Sequence, residues 1–435
     1  MNLSKSKIVS LGIQHVLAMY AGAVIVPLIV GAGIGLTGEQ LTYLVSIDIM
    51  MCGIATFLQV YQNKFFGIGL PVVLGCTFTA VGPIIAIAHQ YSVGSIYGAI
   101  IASGFVVLVI AKYFSKLVKF FPPVVTGSVV TVIGVTLIPV AMNNLAGGQG
   151  SSDFGSMENV LLGFGTLLII LAIFRFFNGF IRSIAILLGI LVGTIAASFM
   201  GMVDFSAVIE ASWFHLPKLF FIETPEFHFM PIVTMTLVAI VSLVESTGVY
   251  FALSDICDKK ISEHDIARGY RSEGMAIILG GIFNAFPYTT FSQNVGLLQL
   301  SGVKSKNIIY TAAGILVLLG LVPKIGAFTT IIPSSVLGGA MVAMFGMVIA
   351  SGIKMLGQVD FSSQENLLIV ACSVGLGLGV TVVPEMFGDL PASLRILTDS
   401  GIVLGSLTAV LLNLVFNVFK IGQAKYLLQK QQKVS

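Results

Sequence analysis

The sequence predicts an all-α polytopic membrane protein of about fourteen transmembrane segments, arranged as two inverted repeats of seven. Three observations predict this class. Of 435 residues, 56% are hydrophobic and only 9% charged, against about 25% charged in an average soluble domain, and mean hydropathy is +1.02. The basic residues fall almost entirely on alternate connecting segments. Two proline-marked interruptions of the apolar pattern occupy matching places in the two halves of the chain.

The segments follow in order. Apolar windows long enough for a crossing of roughly 20 residues lie at 8–31, 40–60, 94–112, 123–142, 158–175, 181–203, 229–253, 307–326, 334–353, 364–383 and 400–420. Three further windows, 66–89, 272–285 and 286–302, are apolar but interrupted, and they complete the count. MNLSKSK runs into the first window without a small-residue cleavage site, so that window reads as a permanent helix. With the N-terminus inside, 22 Lys and Arg residues divide so that only Lys218, Lys324 and Arg395 lie outside. A miscounted helix would scramble that asymmetry, so the positive-inside rule supports both count and orientation. The outer segments 143–158 and 204–228 carry Asp153, Asp204, Glu210 and Glu223 instead.

The remaining composition narrows the class. The 48 glycines suit helices that approach closely in lipid. Cys52, Cys76, Cys257 and Cys372 lie far apart with no CxxC pair and read as small packing residues. A net charge of +3 gives no reason to expect a nucleic-acid partner. Neither HExxH nor GxSxG occurs, so no enzyme constellation is evident.

The halves echo each other. FFPPVVTGSVV (120–130) matches TIIPSSVLGGAMV (330–342), SIYGAIIASG (95–104) matches IIYTAAGILV (308–317), and LPVVLGCTF (70–78) matches FPYTTFSQN (286–294). The offsets are 211, 213 and 216 residues. Seven segments per half is an odd number, so the second half enters from the opposite face, giving an inverted repeat.

The last of these pairs is the most polar. Each stretch begins at a proline, Pro71 or Pro287, and continues through β-branched residues, Val72 and Val73 or Thr289 and Thr290. Proline removes a donor and clashes with the preceding turn, so a continuous helix is disfavoured. Val and Thr favour extended backbone. A short strand followed by a half-helix is expected in each case, the strands pairing antiparallel and the half-helix N-termini pointing to the midplane. Broken segments of this kind are a sequence pointer to a transporter's binding site.

The residues there resemble a known family. QNVGLLQLSG (293–302) is similar to the signature of the nucleobase–ascorbate transporter family: Gln293, Asn294 and Gly296 match, and Ser301 keeps a hydroxyl where Thr is usual. Gln14-His15, SLVESTG (242–248) and GLPVVLGCTFTAVGP (69–83) resemble its Gln-His pair, its acidic motif on segment 8 and its broken segment 3. Within the family the wording is nearest to bacterial xanthine permeases. The resemblance implies a core domain of segments 1–4 and 8–11 (1–114 and 229–329), a gate domain of segments 5–7 and 12–14 (115–228 and 330–423), and a cytoplasmic tail at 424–435. It also implies a homodimer formed through the gate, both termini cytoplasmic in a bacterial plasma membrane, and no cofactor beyond a coupling ion, expected to be H+.

It further implies that Glu245 and Gln293 hydrogen-bond a purine base while Phe78 packs on the ring. Elementary chemistry agrees. A glutamine amide offers an acceptor and two donors to an oxopurine edge, a carboxylate accepts from a ring N–H, and flat rings stack on Phe. Ser292, Asn294, Gln14 and His15 are further candidates for substrate contact. Asn294 reads equally as a half-helix cap, and Gln14 and His15 as interhelical hydrogen-bonding groups. Glu245, Glu273 and His15 are the candidate proton carriers. Glu273 stands where the family often carries Asp, and it either couples protons or holds the core together. Asp48 reads as a packing contact. Val249 replaces the second acid that some family xanthine transporters carry one turn after the first, which argues against a mechanism needing two carboxylates on that segment.

Overall fold

The computed structural model describes residues 4–118 and 121–419. The expected tail at 424–435 lies outside them, as do Lys119, Lys420, Lys425, Lys430 and Lys433. The helices run α1 (Lys5–Gly33), α2 (Gly38–Val60), α3 (Val81–Gln90), α4 (Val93–Leu117), α5 (Pro123–Leu145), α6 (Met157–Phe176), α7 (Gly179–Ser183), α8 (Ala185–Phe199) and α9 (Ser206–Glu210). They continue with α10 (Phe229–Ile256), α11 (Glu263–Ile282), α12 (Ser292–Ser301), α13 (Lys306–Gly320), α14 (Pro323–Thr330), α15 (Ser334–Leu356), α16 (Gln364–Val382), α17 (Ala392–Thr398) and α18 (Gly401–Asn413). Two three-residue strands, β1 (Leu74–Cys76) and β2 (Tyr288–Thr290), pair antiparallel. Among the described residues, nine helices are long and apolar enough to cross a membrane, or ten with the bent pair α13 and α14 taken together.

Four expected windows differ in detail. The window 307–326 is not one crossing: α13 and α14 meet at 79°. Pro323 explains this, because the residue before a proline avoids helical backbone, and Val322 sits at φ −111°, ψ 90°. The window 181–203 divides at Ile184 into α7 and α8. The window 400–420 ends its α-helix at Asn413 and continues as a π-turn over Leu414–Val418. The window 272–285 belongs to a helix that begins earlier, at Glu263, under a capping box between Ser262 and Asp265.

The chain forms two compact units. One comprises the described residues of Met1–Ser115 and Leu137–Phe345, the other those of Lys116–Thr136 and Gly346–Ser435. In the first, α2 packs between α1, α11, α13 and α14 and against β1. Small residues permit that closeness: a Cβ on Gly53 would stand 2.6 Å from the Ala313 carbonyl oxygen, and one on Gly320 would stand 2.5 Å from Met50 Cβ. Buried polar groups of α2 then reach the strands. Thr56 Oγ1 accepts from Leu74 N (2.9 Å) and donates to Leu74 O (3.3 Å). The Tyr288 hydroxyl donates to Asp48 Oδ1 (2.9 Å), and Cys52 Sγ donates to Asp48 Oδ2 (3.9 Å). Asp48, fully buried, is thus the anchor of β2.

The long segment between α8 and α10 is tied down by Asn284. This buried residue has φ 55°, a left-handed conformation that Asn tolerates better than most. Its Oδ1 accepts from Ile222 N (2.8 Å) and Glu223 N (3.3 Å), and its Nδ2 donates to Glu223 O (3.0 Å). In the second unit, α16 packs along α18, and the backbones of Gly377 and Gly401 approach too closely for a side chain.

Tyr288→Phe leaves the buried Asp48 Oδ1 without its donor. An unsatisfied buried group costs about 1–3 kcal/mol, so the melting temperature of the purified variant in detergent should fall by several degrees. Cys257→Ser, away from this contact, should leave it in place.

Candidate functional site

The site is built where two broken segments cross. In β1 and β2 the register pairs Leu74 with Thr290, Gly75 with Thr289, and Cys76 with Tyr288. The ladder extends at both ends, Thr77 N donating to Pro287 O (3.0 Å) and Phe291 N to Val73 O (2.9 Å). The strands therefore satisfy part of each other's backbone, and Thr56 and Ser246 take up groups of Leu74 and Thr290 that face away from the partner strand. β1 runs into a short 3-10 turn, Phe78–Ala80, and then α3; β2 runs into α12. Phe291 caps α12 with no side-chain hydrogen bond, and of the first-turn N–H groups that of Asn294 bonds the Phe291 carbonyl (3.3 Å).

Helix α10 packs against β2 and the 3-10 turn that follows β1. Ser242 Oγ hydrogen-bonds the hydroxyls of Thr77 (3.2 Å) and Thr79 (2.9 Å). One turn on, Ser246 Oγ bonds Thr289 Oγ1 (3.0 Å) and accepts from Thr290 N (3.3 Å) and Thr290 Oγ1 (3.2 Å). Glu245 sits beside this stitching. It is half-buried, and among the described residues nothing hydrogen-bonds or ion-pairs its carboxylate. Gln293, in the first turn of α12, and Gln14, on α1, are half-buried and likewise have no hydrogen-bond partner among the described residues; Ser292 is exposed. Helix α10 packs against the 3-10 turn, β2 and α12, so the elements carrying Glu245, Phe78 and Gln293 meet.

The aromatic wall is wider than Phe78 alone. The Phe78 ring stands edge-on to Phe345 at 5.4 Å between centroids and tilted to Phe291 at 6.4 Å. The Phe291 ring occupies space vacated by two glycines: a Cβ on Gly22 would come within 2.7 Å of it, and one on Gly75 would overlap it. Phe291, Phe345 and the hydroxyls of Ser242 and Ser246 were not singled out in the sequence. The spacing of four residues between Ser242 and Ser246, which flank Glu245 in sequence, puts both hydroxyls on one helix face and is the signal that points to the serines.

Asn294 and His15 face each other. Asn294 Nδ2 donates to His15 O (3.0 Å) and lies 3.1 Å from His15 Nδ1. A carbonyl only accepts, so the amide nitrogen must point toward His15, and Nδ1 must then be the acceptor with the ring proton on Nε2. A proton on Nδ1 would lose that bond. Asn294 Oδ1 is buried and has no partner.

Glu273 belongs to a buried knot of three helices. The Tyr250 hydroxyl donates to its Oε1 and in turn accepts from Gln59 Nε2, which also lies 3.5 Å from Glu273 Oε1. This ties α2, α10 and α11 together, while Glu273 Oε2 and Gln59 Oε1 are buried without partners. Among the described residues, no group of three His, Cys, Asp or Glu side chains is placed to hold a metal ion.

A family model described as "Permease family" (Xan_ur_permease) matches residues 6–386. The chain belongs to the nucleobase–ascorbate transporter family. As a family member it is a multi-pass membrane permease and not an enzyme. It is 66% identical over 413 residues to the xanthine permease of Bacillus subtilis (strain 168), covering 95% of this chain and 94% of that protein. It is 64% identical over 410 residues to the uric acid permease PucK of the same organism, covering 94% and 95%. Among solved structures it is similar in fold to the transmembrane domain of the cyanobacterium bicarbonate transporter BicA. The TM-score there is 0.62 at 14% identity, over 89% of this chain and 98% of that one. It is similar also to murine Slc26a9 in the inward-facing state, with a TM-score of 0.64 at 10% identity over 97% and 69%.

The two kinds of polar residue in this family member should separate in stability. Glu245→Gln breaks no hydrogen bond, so its melting temperature should match that of the unmodified protein. Asn294→Ala removes both bonds to His15 and should lower it by the equivalent of about 1–3 kcal/mol. Thermal unfolding of the two variants side by side checks this.

Proposed function

We propose that the protein is a secondary active transporter that imports a purine base, xanthine foremost, by proton symport with alternating access. One observation carries the reading. Glu245 and Gln293, two side chains suited to a heterocycle edge, are left without protein partners on elements that meet at the crossing strands. Burying a polar group without a partner costs free energy, and a base with ring N–H donors and carbonyl acceptors supplies both partners. Gln293 pairs with an N–H and a carbonyl of the base, Glu245 accepts from a second ring N–H, and Phe78 covers one face. Ser292, Gln14 and the unpartnered Asn294 Oδ1 border the same place, and His15 orients Asn294.

The names of the relatives support a purine. The uric acid permease is nearly as similar as the xanthine permease, which makes urate the second reading. The family resemblance implies Glu at the position of Gln293 in uracil-specific members, so Gln293 leans toward a purine. An anion exchanger on the same scaffold would call for a basic side chain at the site, and segments 66–89 and 286–302 contain no Lys or Arg.

For coupling, Glu245 is the leading proton carrier. Glu273, with one carboxylate oxygen unpartnered, is the second; His15 is the weakest because its Nδ1 is spent on Asn294. A protonated Glu245 moves with substrate and releases its proton inside. The membrane potential contributes about 2.3 kcal/mol per charge per 100 mV, enough for roughly fifty-fold accumulation. The same reading takes fourteen segments in two inverted repeats, a core of 1–114 and 229–329 moving against a gate of 115–228 and 330–423, and a homodimer through the gate. It places the protein in a bacterial plasma membrane with both termini cytoplasmic.

Uptake of labelled xanthine into proteoliposomes tests this. An imposed acid-outside pH gradient should drive accumulation in the unmodified protein and none in Glu245→Gln, while that variant keeps xanthine counterflow. Normal pH-driven accumulation by Glu245→Gln would refute its role. Gln293→Ala should raise the half-saturating concentration by about ten- to a hundred-fold, the loss of one or two buried hydrogen bonds. Competition by unlabelled urate ranks the second reading.

A further inference from the structure

The ten residues that join α2 to the first broken segment, YQNKFFGIGL (61–70), contain no acid, yet four cations converge on them. Arg268 Nη1 donates to Asn63 O (3.3 Å), Arg271 Nη1 to Phe65 O (3.5 Å), Lys259 Nζ to Gly69 O (3.1 Å) and Lys306 Nζ to Gln62 Oε1 (3.4 Å). The last two acceptors adjoin: a Cβ on Gly69 would stand 2.5 Å from Gln62 Oε1. Lys306 accordingly feels the positive charges of both Lys259 and Arg268. Among the described residues Asp265 is the one carboxylate bonded into the group, and it is committed to Arg268 and to the cap of α11. Lys304, nearby in sequence, is taken by Asp258.

Carbonyl oxygens satisfy hydrogen bonds but do not neutralise charge. Each ammonium spends one of its three donors on the loop, leaving the others for an anion. The same loop presents an apolar rim. Phe65 is 60% exposed with Lys64 Nζ 5.9 Å above its ring, and the exposed Tyr61 stacks on Phe57 at 5.5 Å. Cations beside exposed aromatic rings, at the ends of apolar helices, match the charge and the layering of a bilayer's headgroup region.

We propose that this loop docks the headgroup of an anionic phospholipid, its phosphate received by Lys259 and Lys306 and its glycerol region lying along Tyr61 and Phe65. The proposal rests on the membrane-spanning, cytoplasm-facing placement given above. Because the loop leads directly into β1, a docked lipid braces the strand from one end while α10 holds it from the side.

Native mass spectrometry of the detergent-purified full chain, titrated with phosphatidylglycerol or phosphatidylcholine, tests it without requiring transport. Failure here is therefore distinct from failure of the transport reading. The unmodified protein should retain phosphatidylglycerol at least ten-fold more tightly. Each cation removed should weaken that retention about five-fold, so Lys259→Gln with Lys306→Gln should lose roughly twenty-five-fold and Lys259→Arg with Lys306→Arg little. Lys64→Gln should lose about five-fold; its side chain makes no hydrogen bond, so it decides the matter even if the double Gln variant does not fold. Equal phosphatidylglycerol affinity in the Gln variants overturns the proposal. So does displacement of the lipid by inorganic phosphate at equal concentration, which would make this a free-anion site.

Discussion

The structure depends on two three-residue strands that pair inside an otherwise helical bundle. An open backbone in an apolar surround leaves donors and acceptors that no lipid can satisfy. The pairing of Leu74–Cys76 with Tyr288–Thr290 removes part of that cost for both halves at once, and Thr56 and Ser246 supply partners for the backbone groups of Leu74 and Thr290 that face away from the ladder. What distinguishes the candidate site follows from it: a 3-10 turn leading into one half-helix, and the other half-helix, begin where the ladder ends.

Holding such a short ladder requires help from outside. Thr56 and Asp48 grip it from α2, and Ser242 and Ser246 grip it from α10. Hydroxyls suit this work because each donates and accepts within one small group. Glu245, between the two serines in sequence, takes no share in it. The protein thus separates groups that build the strand pair from groups left open beside it, and the same division appears between Asn294, bound to His15, and Gln293, which has no partner among the described residues.

Much of this was legible in the sequence, for identifiable reasons. Pro71 and Pro287 mark the breaks because proline has no N–H to give a helix, and the Val and Thr residues that follow favour extension. Glu245 stands out because a carboxylate in an apolar run is expensive. Other features depend on long-range contacts that no local pattern carries. Val322 leaves the helix because of Pro323, a sharp bend that hydropathy averages away. Tyr250 and Gln59 are silent in sequence because their polarity is spent on Glu273, far along the chain. Phe291 looks like any apolar residue until Gly22 and Gly75 are seen to make room for it.

That ring has an evolutionary consequence. Phe291 is wedged between two main-chain surfaces, and neither glycine can acquire a side chain while the ring remains. The packing around this ring is therefore closed to gradual change by single substitutions. Change at this place therefore requires the ring and a glycine to be exchanged together.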